Sequence, residues 1–338
     1  MIDIQIEKSF HDIFWYADKN KCSDIHLNSL ETVSFRFDGK IVKAPELFQR
    51  YTADEILRLA FQLNPDLNIG AKPLNHAIDF SCTYDNLRIR CNLFPTIDGL
   101  SLSIRLFPDK IPSLTDLRCP KGVLKLITDF SHGLVLVSGP TGSGKSTTLA
   151  AMLDHINKNE AKRIITIEDP VEYIHQSDKS VITHRQVGKN CDTFYEGFKD
   201  SLREDPDIIF IGEIRDMETM KLAMEAAESG HLVLSTLHSS DVNESLNRII
   251  GMFPSSMSEV VANQLSISLA GIIAQKLIKA RNGGRVAAYE VLINNPTIAN
   301  IIRNNDMRHL GDYMRPEQGM VKFSDYLAGM RNKKIIVD

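Results

Sequence analysis

The fold is decided by a stretch that reads Gly139-Pro140-Thr141-Gly142-Ser143-Gly144-Lys145-Ser146. It matches the pattern GxxxxGK[ST] at every fixed position. Residues 134–138 before it, Leu-Val-Leu-Val-Ser, are typical of a buried strand. Beyond it, apolar residues recur at the spacing of one helix face, at Leu149, Met152, Leu153 and Ile156. A buried strand, a glycine-rich loop and a helix in this order predict a phosphate-binding loop.

Each residue type in this loop suits the binding of a nucleotide. Glycines let backbone N–H groups wrap the phosphates, and the helix N-terminus adds partial positive charge. Lys145 is placed to reach the β- and γ-phosphates, and the Ser146 hydroxyl is placed to ligate Mg²⁺. ATP and Mg²⁺ are the cofactors we predict. The predicted nucleotide contacts of this segment are Gly139, Pro140, Thr141, Gly142, Ser143, Gly144, Lys145, Ser146 and Thr147.

Short apolar runs recur after the loop, at 164–167, 208–211 and 232–234, with helical patterns between them. Buried parallel strands that alternate with helices have this signature. We therefore predict an α/β fold with a parallel sheet. The last third of the chain is predicted to be mostly helical. Its apolar residues at helical spacing are Leu265, Leu269, Ile272, Ile273 and Leu277.

Carboxylates directly follow two of the apolar runs, Glu168-Asp169 after the first and Glu213 after the second. Gly212 stands where such a strand usually carries its first acid. A carboxylate near the γ-phosphate can orient and deprotonate the attacking water. Either Glu168 or Glu213 can be this general base, and the sequence does not decide between them. The predicted metal site consists of Ser146, Glu213 and Asp169, and Lys145 joins the two glutamates as a catalytic residue.

Two histidines, His231 and His238, bracket the third apolar run. His238 is at its carboxyl end, where ligands bind in open α/β sheets. There it can hydrogen-bond the γ-phosphate and report its loss, so we predict it as a catalytic residue. His231 is predicted as a further nucleotide contact.

Residues 1–107 have the pattern of a smaller α/β domain. The segments 87–93 and 102–106 alternate apolar and polar residues, as antiparallel strands with one wet face do. This alternation predicts that Arg88 and Arg90 lie on the wet face.

The turn Asp38-Gly39 between residues 33–37 and 40–42 predicts a hairpin. The segment 108–120 contains three prolines and is the predicted linker. Residues 121–338 then form the larger domain, which contains the phosphate-binding loop.

Composition argues against several other classes of protein. The 338 residues carry a formal net charge of −4, so no global basic field attracts nucleic acid. None of the five cysteines is spaced as CxxC, which argues against a zinc site or a disulfide framework. Neither a signal peptide nor a run of about 18 apolar residues occurs. We therefore expect a cytoplasmic protein with peripheral membrane contact only.

Four segments, in order, resemble the Walker A, Asp, Walker B and His boxes of the secretion-ATPase superfamily. They read GPTGSGKSTTLAAML (139–153), ITIEDPVEY (165–173), LREDPDIIFIGEIRD (202–216) and GHLVLSTLH (230–238). The resemblance is strongest to the PilT-type retraction ATPases of type IV pili. SDIHL (23–27) and GRVAAYE (284–290) extend it over nearly the whole chain.

The resemblance implies a PAS-like N-terminal domain, a RecA-like ATPase domain and a homo-hexameric ring. ATP is expected between the domains near the subunit boundary, where the family pattern places Arg90 and Arg105 as catalytic arginines. The implied function is to couple ATP hydrolysis to pilus retraction, by removal of pilin at the cytoplasmic face of the inner membrane. The expected partners are an inner-membrane platform protein and a paralogous ATPase.

Two departures from the family patterns bear on which branch of the superfamily the chain resembles. The tetracysteine motif of the assembly and type II secretion relatives is absent, which favours the retraction branch. That branch is marked by AIRNLIRE, however, where residues 297–304 read TIANIIRN. The alternatives are a type IVB secretion-system ATPase and a nucleotide-binding accessory paralogue of the retraction motor.

Overall fold

The computed structural model describes residues 2–37, 39–44, 48–67, 74–107 and 110–337. Asp38 of the predicted turn and residues 108 and 109 of the predicted linker lie outside the described residues. The chain divides into two compact units, Met1–Lys110 and Ile111–Asp338. Across the described ranges, every helix is too short or too polar to cross a membrane.

The described residues of the first unit form one antiparallel sheet and two helices. The helices are α1 (Ile2–Lys19) and α2 (Ala53–Leu63). The strands are β1 (Asp24–Asn28), β2 (Ser34–Phe37), β3 (Lys40–Lys43), β4 (Ile78–Tyr84), β5 (Leu87–Thr96) and β6 (Gly99–Phe107). Their order in the sheet is β3-β2-β1-β6-β5-β4. The hairpin predicted from residues 33–42 is formed by β2 and β3.

The sheet of the first unit separates an apolar face from a polar one. Period-two alternation sends Ile25, Ile89 and Ile104 to the face that packs against α1 and α2, where they are fully buried. Arg88 and Arg90 lie on the other face and are half-buried, as the alternation predicts.

The second unit contains a seven-stranded sheet in the order β13-β12-β7-β11-β10-β8-β9. The strands are β7 (Gly133–Ser138), β8 (Arg163–Glu168), β9 (Val181–Gln186), β10 (Ile208–Ile211), β11 (Leu232–Leu237), β12 (Leu269–Lys279) and β13 (Arg285–Ile293). All neighbouring strands are parallel except β12 and β13, which pair antiparallel.

Helices connect these strands and pack with them in one continuous core. They are α3 (Lys121–Thr128), α4 (Lys145–Asn159), α5 (Phe194–Ser201), α6 (Met217–Glu228), α7 (Val242–Gly251), α8 (Ser258–Ser268), α9 (Pro296–Arg303) and α10 (Phe323–Asn332). Short 3₁₀ segments lie at Ser255–Met257, Met307–Tyr313 and Pro316–Gln318.

The expectation of a mostly helical last third is wrong for the segment after Ser268. Leu269, Ile272, Ile273 and Leu277 fit a helical period, but they belong to β12. Residues 269–275 are buried on both faces because β12 lies inside the sheet, between β7 and β13. A short, fully buried apolar run has no periodicity that separates strand from helix, so spacing misled here.

Candidate functional site

The predicted phosphate-binding loop, residues 139–144, joins β7 to α4. Gly142 and Gly144 have φ angles of +75° and +89°, in the left-handed region that favours glycine. A Cβ atom on Gly139 would collide with the carbonyl oxygen of Gln275. These constraints explain the glycines of the pattern. The loop backbone lies at the N-terminus of a 15-residue helix, which is an anion-binding position.

The side chain of Lys145 is folded back onto this loop. Its Nζ atom donates to the carbonyl oxygens of Gly139, at 2.8 Å, and Pro140, at 3.2 Å. Burial lowers the Lys145 pKa, and the negative charges of Glu213 and Glu172 oppose that shift. A bound phosphate would give the ammonium group anionic acceptors in place of neutral carbonyls. Hydrogen bonds to the loop therefore hold the Lys145 ammonium group within reach of the ligand that the loop would bind.

The first turn of α4 presents two hydroxyl groups. The Thr147 hydroxyl is 3.0 Å from the hydroxyl of Tyr173, a buried residue that follows β8. The half-buried Ser146 makes no side-chain hydrogen bond within the described part of the chain. Ser146 is thus available as a ligand, whereas Thr147 already has a partner.

The order of the parallel strands brings three of the predicted side chains to the edge of the sheet that carries the loop. From β7 outwards the neighbours are β11, β10 and β8, about 4.8 Å apart. His238 follows β11, Glu213 lies two residues past β10, and Glu168 ends β8. Segments separated by up to 100 residues in sequence thus meet at one edge.

Glu213 lies between an imidazole and a guanidinium group. Its Oε1 atom is 3.2 Å from His238 Nε2. Its Oε2 atom accepts from Arg215 Nε at 2.8 Å and lies 2.7 Å from Arg215 Nη2. The hydrogen bond to this carboxylate, more than its charge, raises the Arg215 pKa. Both carboxylate oxygens of Glu213 therefore have a close partner.

The surroundings of His238 favour the neutral form of its ring. Burial lowers its pKa, and the positive charge of Lys145 lowers it further, while Glu213 opposes the shift. The backbone carbonyl of His238 accepts from Arg248 Nη1 at 2.8 Å, which fixes the end of β11. Its Nε2 atom faces Glu213, so a neutral ring with the proton on that nitrogen presents Nδ1 as an acceptor.

Glu168 is mostly buried, and one of its oxygens lies 3.7 Å from His184 Nδ1. That nitrogen is 2.8 Å from Thr166 Oγ1, and the other ring nitrogen accepts from the backbone N–H of His175 at 3.0 Å. The Nδ1 side of the His184 ring faces Thr166 and Glu168. Glu168 thus has a positioned neighbour of its own.

Asp169 is exposed at the same edge, next to Glu168 in sequence. Its charge contributes to the raised pKa of Arg215. Asp169 and Glu213 therefore act on the same guanidinium group.

The structure does not bring His231 to the phosphate loop. It precedes β11, whose first residue pairs with Gly133 at the start of β7. Its Nδ1 atom lies 3.1 Å from the carbonyl oxygen of Ala226. Seven residues of extended chain, about 23 Å, separate it from His238. His231 lies at the far edge of the sheet because a strand carries its two flanking residues to opposite edges.

Arg90 and Arg105 are cross-strand neighbours on the polar face of the first unit. Arg105 Nε donates at 2.9 Å to the buried Asp24, whose other oxygen is 3.6 Å from Arg36 Nε. Arg90 pairs at 3.6 Å with Asp79, which is mostly exposed. Arg105 therefore has a structural partner, and Arg90 is the less constrained of the two.

Three neighbours of the site were missed by sequence reasoning. Arg215 lies inside the Walker B-like segment, and its spacing of two residues from Glu213 was an available signal. His184 and Gln275 lie outside the four boxes, on β9 and β12. They reach the site through the order of the strands, which spacing along the chain does not give.

Comparison with known proteins identifies the family. The sequence matches the family described as "Type II/IV secretion system protein" over residues 3–334. It is 40% identical over 318 residues to the "Uncharacterized protein YggR" of Escherichia coli, and the match covers 93% of this chain and 96% of that one. Over 302 residues it is 38% identical to the "Type IV pilus retractation ATPase PilT" of Pseudomonas aeruginosa, with 88% and 86% covered.

A solved structure also supports the fold. The "Crystal Structure of the Pilus Retraction Motor PilT and Bound ADP" matches with a TM-score of 0.85 at 38% identity. The match covers 96% of this chain and 94% of that one. The predicted fold class, a RecA-like P-loop ATPase domain after a smaller PAS-like α/β domain, is confirmed. The chain belongs to the Type II/IV secretion system protein family.

Proposed function

We propose that this chain is an ATPase motor that couples ATP hydrolysis to the removal of pilin subunits during type IV pilus retraction. One observation carries the proposal. Glu213 and His238 are 3.2 Å apart at the ends of strands next to the phosphate loop, with Lys145 stored on that loop. The relative named as a pilus retractation ATPase, 38% identical over most of its length, supports the assignment to pili.

In this proposal, the loop and the first turn of α4 bind the phosphates of ATP. The nucleotide contacts are the backbone of residues 139–144 and the side chains of Lys145, Ser146 and Thr147. Lys145 exchanges its two carbonyl acceptors for phosphate oxygens, which are charged and therefore stronger acceptors. The positive end of α4 adds to the attraction. His231 is not part of this set because of its position at the far edge.

The residues present fit a magnesium ion. Mg²⁺ prefers oxygen ligands and usually keeps several waters beside one or two protein groups. The Ser146 hydroxyl has no side-chain partner in the described residues, and Glu213 and Asp169 supply carboxylate oxygens at the same edge. Bound there, the ion would neutralise charge that develops on the phosphates.

Water activation is assigned here to Glu213. Its negative charge opposes the lowering of the Lys145 pKa, whereas Glu168 is one strand further from the loop. His238 and Arg215 orient the carboxylate, and an oriented carboxylate near the γ-phosphate can take a proton from water. Glu168, held beside His184, is the alternative base.

The motor is proposed to be a homo-hexamer. Arg90 and Arg105 supply positive charge to the nucleotide of a neighbouring subunit, which can accelerate hydrolysis by orders of magnitude. The boundaries 1–107, 108–120 and 121–338 are our proposal for the two domains and the linker between them. Closure of the domains on ATP and reopening on phosphate release would convert hydrolysis into displacement.

The proposed location is the cytoplasmic face of the inner membrane, with peripheral association only. The partners are a platform protein of the pilus machine and a paralogous ATPase. No nucleic-acid partner is proposed, in keeping with the net charge of −4.

The segment that departs from AIRNLIRE supports a second candidate. Ile298 and Ile302, which match that pattern, are fully buried in α9 and serve packing. The changed positions Thr297, Ala299 and Asn304 are exposed or half-buried. A change of surface with a preserved core suits a different partner. It therefore favours a type IVB secretion ATPase or an accessory subunit as the alternative.

The test is a strain in which the gene is deleted and then complemented. The deletion should give surplus pili that do not retract, and the wild-type gene should restore retraction. Lys145→Ala should fail to restore it while the protein accumulates normally. Normal retraction in the deletion strain, with loss of effector export, would move the chain to secretion. Restoration of retraction by Lys145→Ala would favour the accessory role.

A further inference from the structure

Gln275 on β12 connects the phosphate loop to the helix that follows it. The residue is 2% exposed. Its Nε2 atom donates to the backbone carbonyl of Ser143 at 2.7 Å, and its Oε1 atom accepts from Thr148 Oγ1 at 2.7 Å. One buried carboxamide therefore bridges a loop peptide and the first turns of α4.

The register of β12 explains why this glutamine meets the loop. Ala274 pairs with Ser138, the last residue of β7, so Gln275 is level with the start of the loop. A Cβ atom on Gly139 would collide with the Gln275 carbonyl oxygen, and one on Gly144 would lie 2.8 Å from Gln275 Nε2. The first and last glycines of the loop thus pack directly against this residue.

The bond to Ser143 has a consequence for the next peptide group. In a trans peptide the C=O and N–H bonds point in opposite directions. With the Ser143 carbonyl directed at Gln275, the N–H of Gly144 points away from Gln275. Within the described part of the chain, that N–H has no acceptor. It is one of the N–H groups at the start of α4 that remain available to an anion.

This peptide would rotate easily without a partner. Gly144 has a φ of +89° and no Cβ atom, so alternative backbone angles are accessible to it. In the described residues, the Ser143 carbonyl bonds to Gln275 alone. Rotation of the peptide would present a carbonyl oxygen, rather than an N–H, to a bound phosphate.

We propose that Gln275 is a positioning residue for nucleotide binding, which holds the Ser143–Gly144 peptide with its N–H directed towards the phosphates. The inference rests on the proposed function in one respect, that the loop binds the phosphates of ATP and ADP. It adds a residue from a strand outside the four sequence boxes, 129 positions beyond Ser146.

The main test is the dissociation constant for ADP of Gln275→Leu, measured by titration calorimetry on the full chain. Leucine keeps the volume and removes both hydrogen bonds. Loss of a charge-assisted hydrogen bond predicts ADP binding weaker by about tenfold or more. The unfolding temperature of the nucleotide-free variant is measured in parallel, because a purely structural role would lower it without changing ADP affinity.

Gln275→Glu provides a second arm with a signature of its own. A protonated carboxyl can donate to the Ser143 carbonyl as the amide does, whereas a carboxylate turns a lone pair towards it. Burial raises the pKa of such a carboxyl. Relative to wild type, ADP affinity should be near normal at about pH 6 and fall towards about pH 9.

Thr148→Val is the matched control, since it removes the partner of Oε1 and retains the bond to Ser143. Its ADP affinity should stay within about threefold of wild type. Unchanged ADP affinity in Gln275→Leu overturns the inference. If that variant does not fold, unchanged affinity of Gln275→Glu over the pH range does so. A wild-type chain that binds ADP but does not hydrolyse ATP would contradict the proposed function and leave this inference standing.

Discussion

Glu213 Oε1 lies 3.2 Å from His238 Nε2, and this contact joins the ends of two neighbouring parallel strands. The other oxygen of Glu213 accepts from Arg215 Nε. The carboxylate is thus oriented from both sides, next to a loop on which Lys145 is stored. A movement of His238 would change the position of the proposed base, Glu213. The contact can therefore link phosphate binding to water activation.

Glu213→Gln should lower ATP turnover by at least about 100-fold, because general base catalysis typically contributes two to four orders of magnitude. The amide keeps the shape of the side chain and still accepts from Arg215. Measured without Mg²⁺, ADP affinity should therefore remain within about threefold of wild type. Both quantities can be measured on the purified chain by a coupled assay and by calorimetry.

Glu168→Gln is the matched control for the choice of base. It removes the other candidate carboxylate, beside His184, and should lower turnover by less than Glu213→Gln does. A larger loss of turnover in Glu168→Gln would reverse the assignment and leave Glu213 to the metal.

Mixed rings should reveal that the arginines act across subunits. Lys145→Ala removes the nucleotide site of a subunit and leaves its arginines, whereas Arg90→Ala does the reverse. Each variant alone should be nearly inactive, because arginine in trans is worth orders of magnitude in rate. Mixing the two, with subunit exchange, should restore a measurable fraction of turnover. No gain on mixing would contradict action in trans.

Arg105→Ala should destabilise the first unit more than Arg90→Ala does. Arg105 makes a 2.9 Å bond to the buried Asp24, and its loss leaves that carboxylate with Arg36 at 3.6 Å. The expected cost is about 1–2 kcal/mol, since one partner of a mostly buried charge is removed. Arg90 pairs with an exposed group, so its loss should stay within about 0.5 kcal/mol. Urea unfolding of the two variants would compare them.

The stability of the second unit should fall on acidification because of His175. Burial lowers the His175 pKa to about 4. The neighbouring His184 and Lys158 add to this shift, and the negative charge of Asp154 opposes it. The native state then binds fewer protons than the unfolded chain, whose histidine pKa is about 6.5. The contribution is complete above about pH 6.5 and is lost as the pH falls towards 4. At pH 5 the loss should be about 2 kcal/mol.

His175→Phe keeps a ring in the stack with His184 and removes the titration. Between about pH 7 and about pH 5, the free energy of unfolding of wild type should fall by about 2 kcal/mol more than that of the variant. An equal pH dependence in the two proteins would show that another group is responsible.

Much of this site was predictable because many of its residues lie in short continuous segments of the sequence. The P-loop glycines, Lys145 and Ser146 lie within eight residues, and the backbone geometry of the loop favours glycine at three of these positions. Glu213 and His238 were predictable because each follows an apolar run, and parallel strands bring such ends to one edge.

What the sequence did not predict depends on contacts between distant segments. Gln275 reaches the loop because β12 pairs with β7, and that strand had the spacing of a helix. His231 has a suggestive position beside a box, yet strand direction carries it to the far edge. Neither strand order nor the faces of fully buried runs can be derived from periodicity alone.

The central claim is tested most directly by steady-state ATP turnover of the purified chain with Mg²⁺, measured beside Lys145→Ala. The account predicts turnover by the wild-type chain alone and a loss of at least about 100-fold in the variant, because Lys145 contacts the phosphates that carry the transition-state charge. Turnover in Lys145→Ala close to that of wild type would contradict the account.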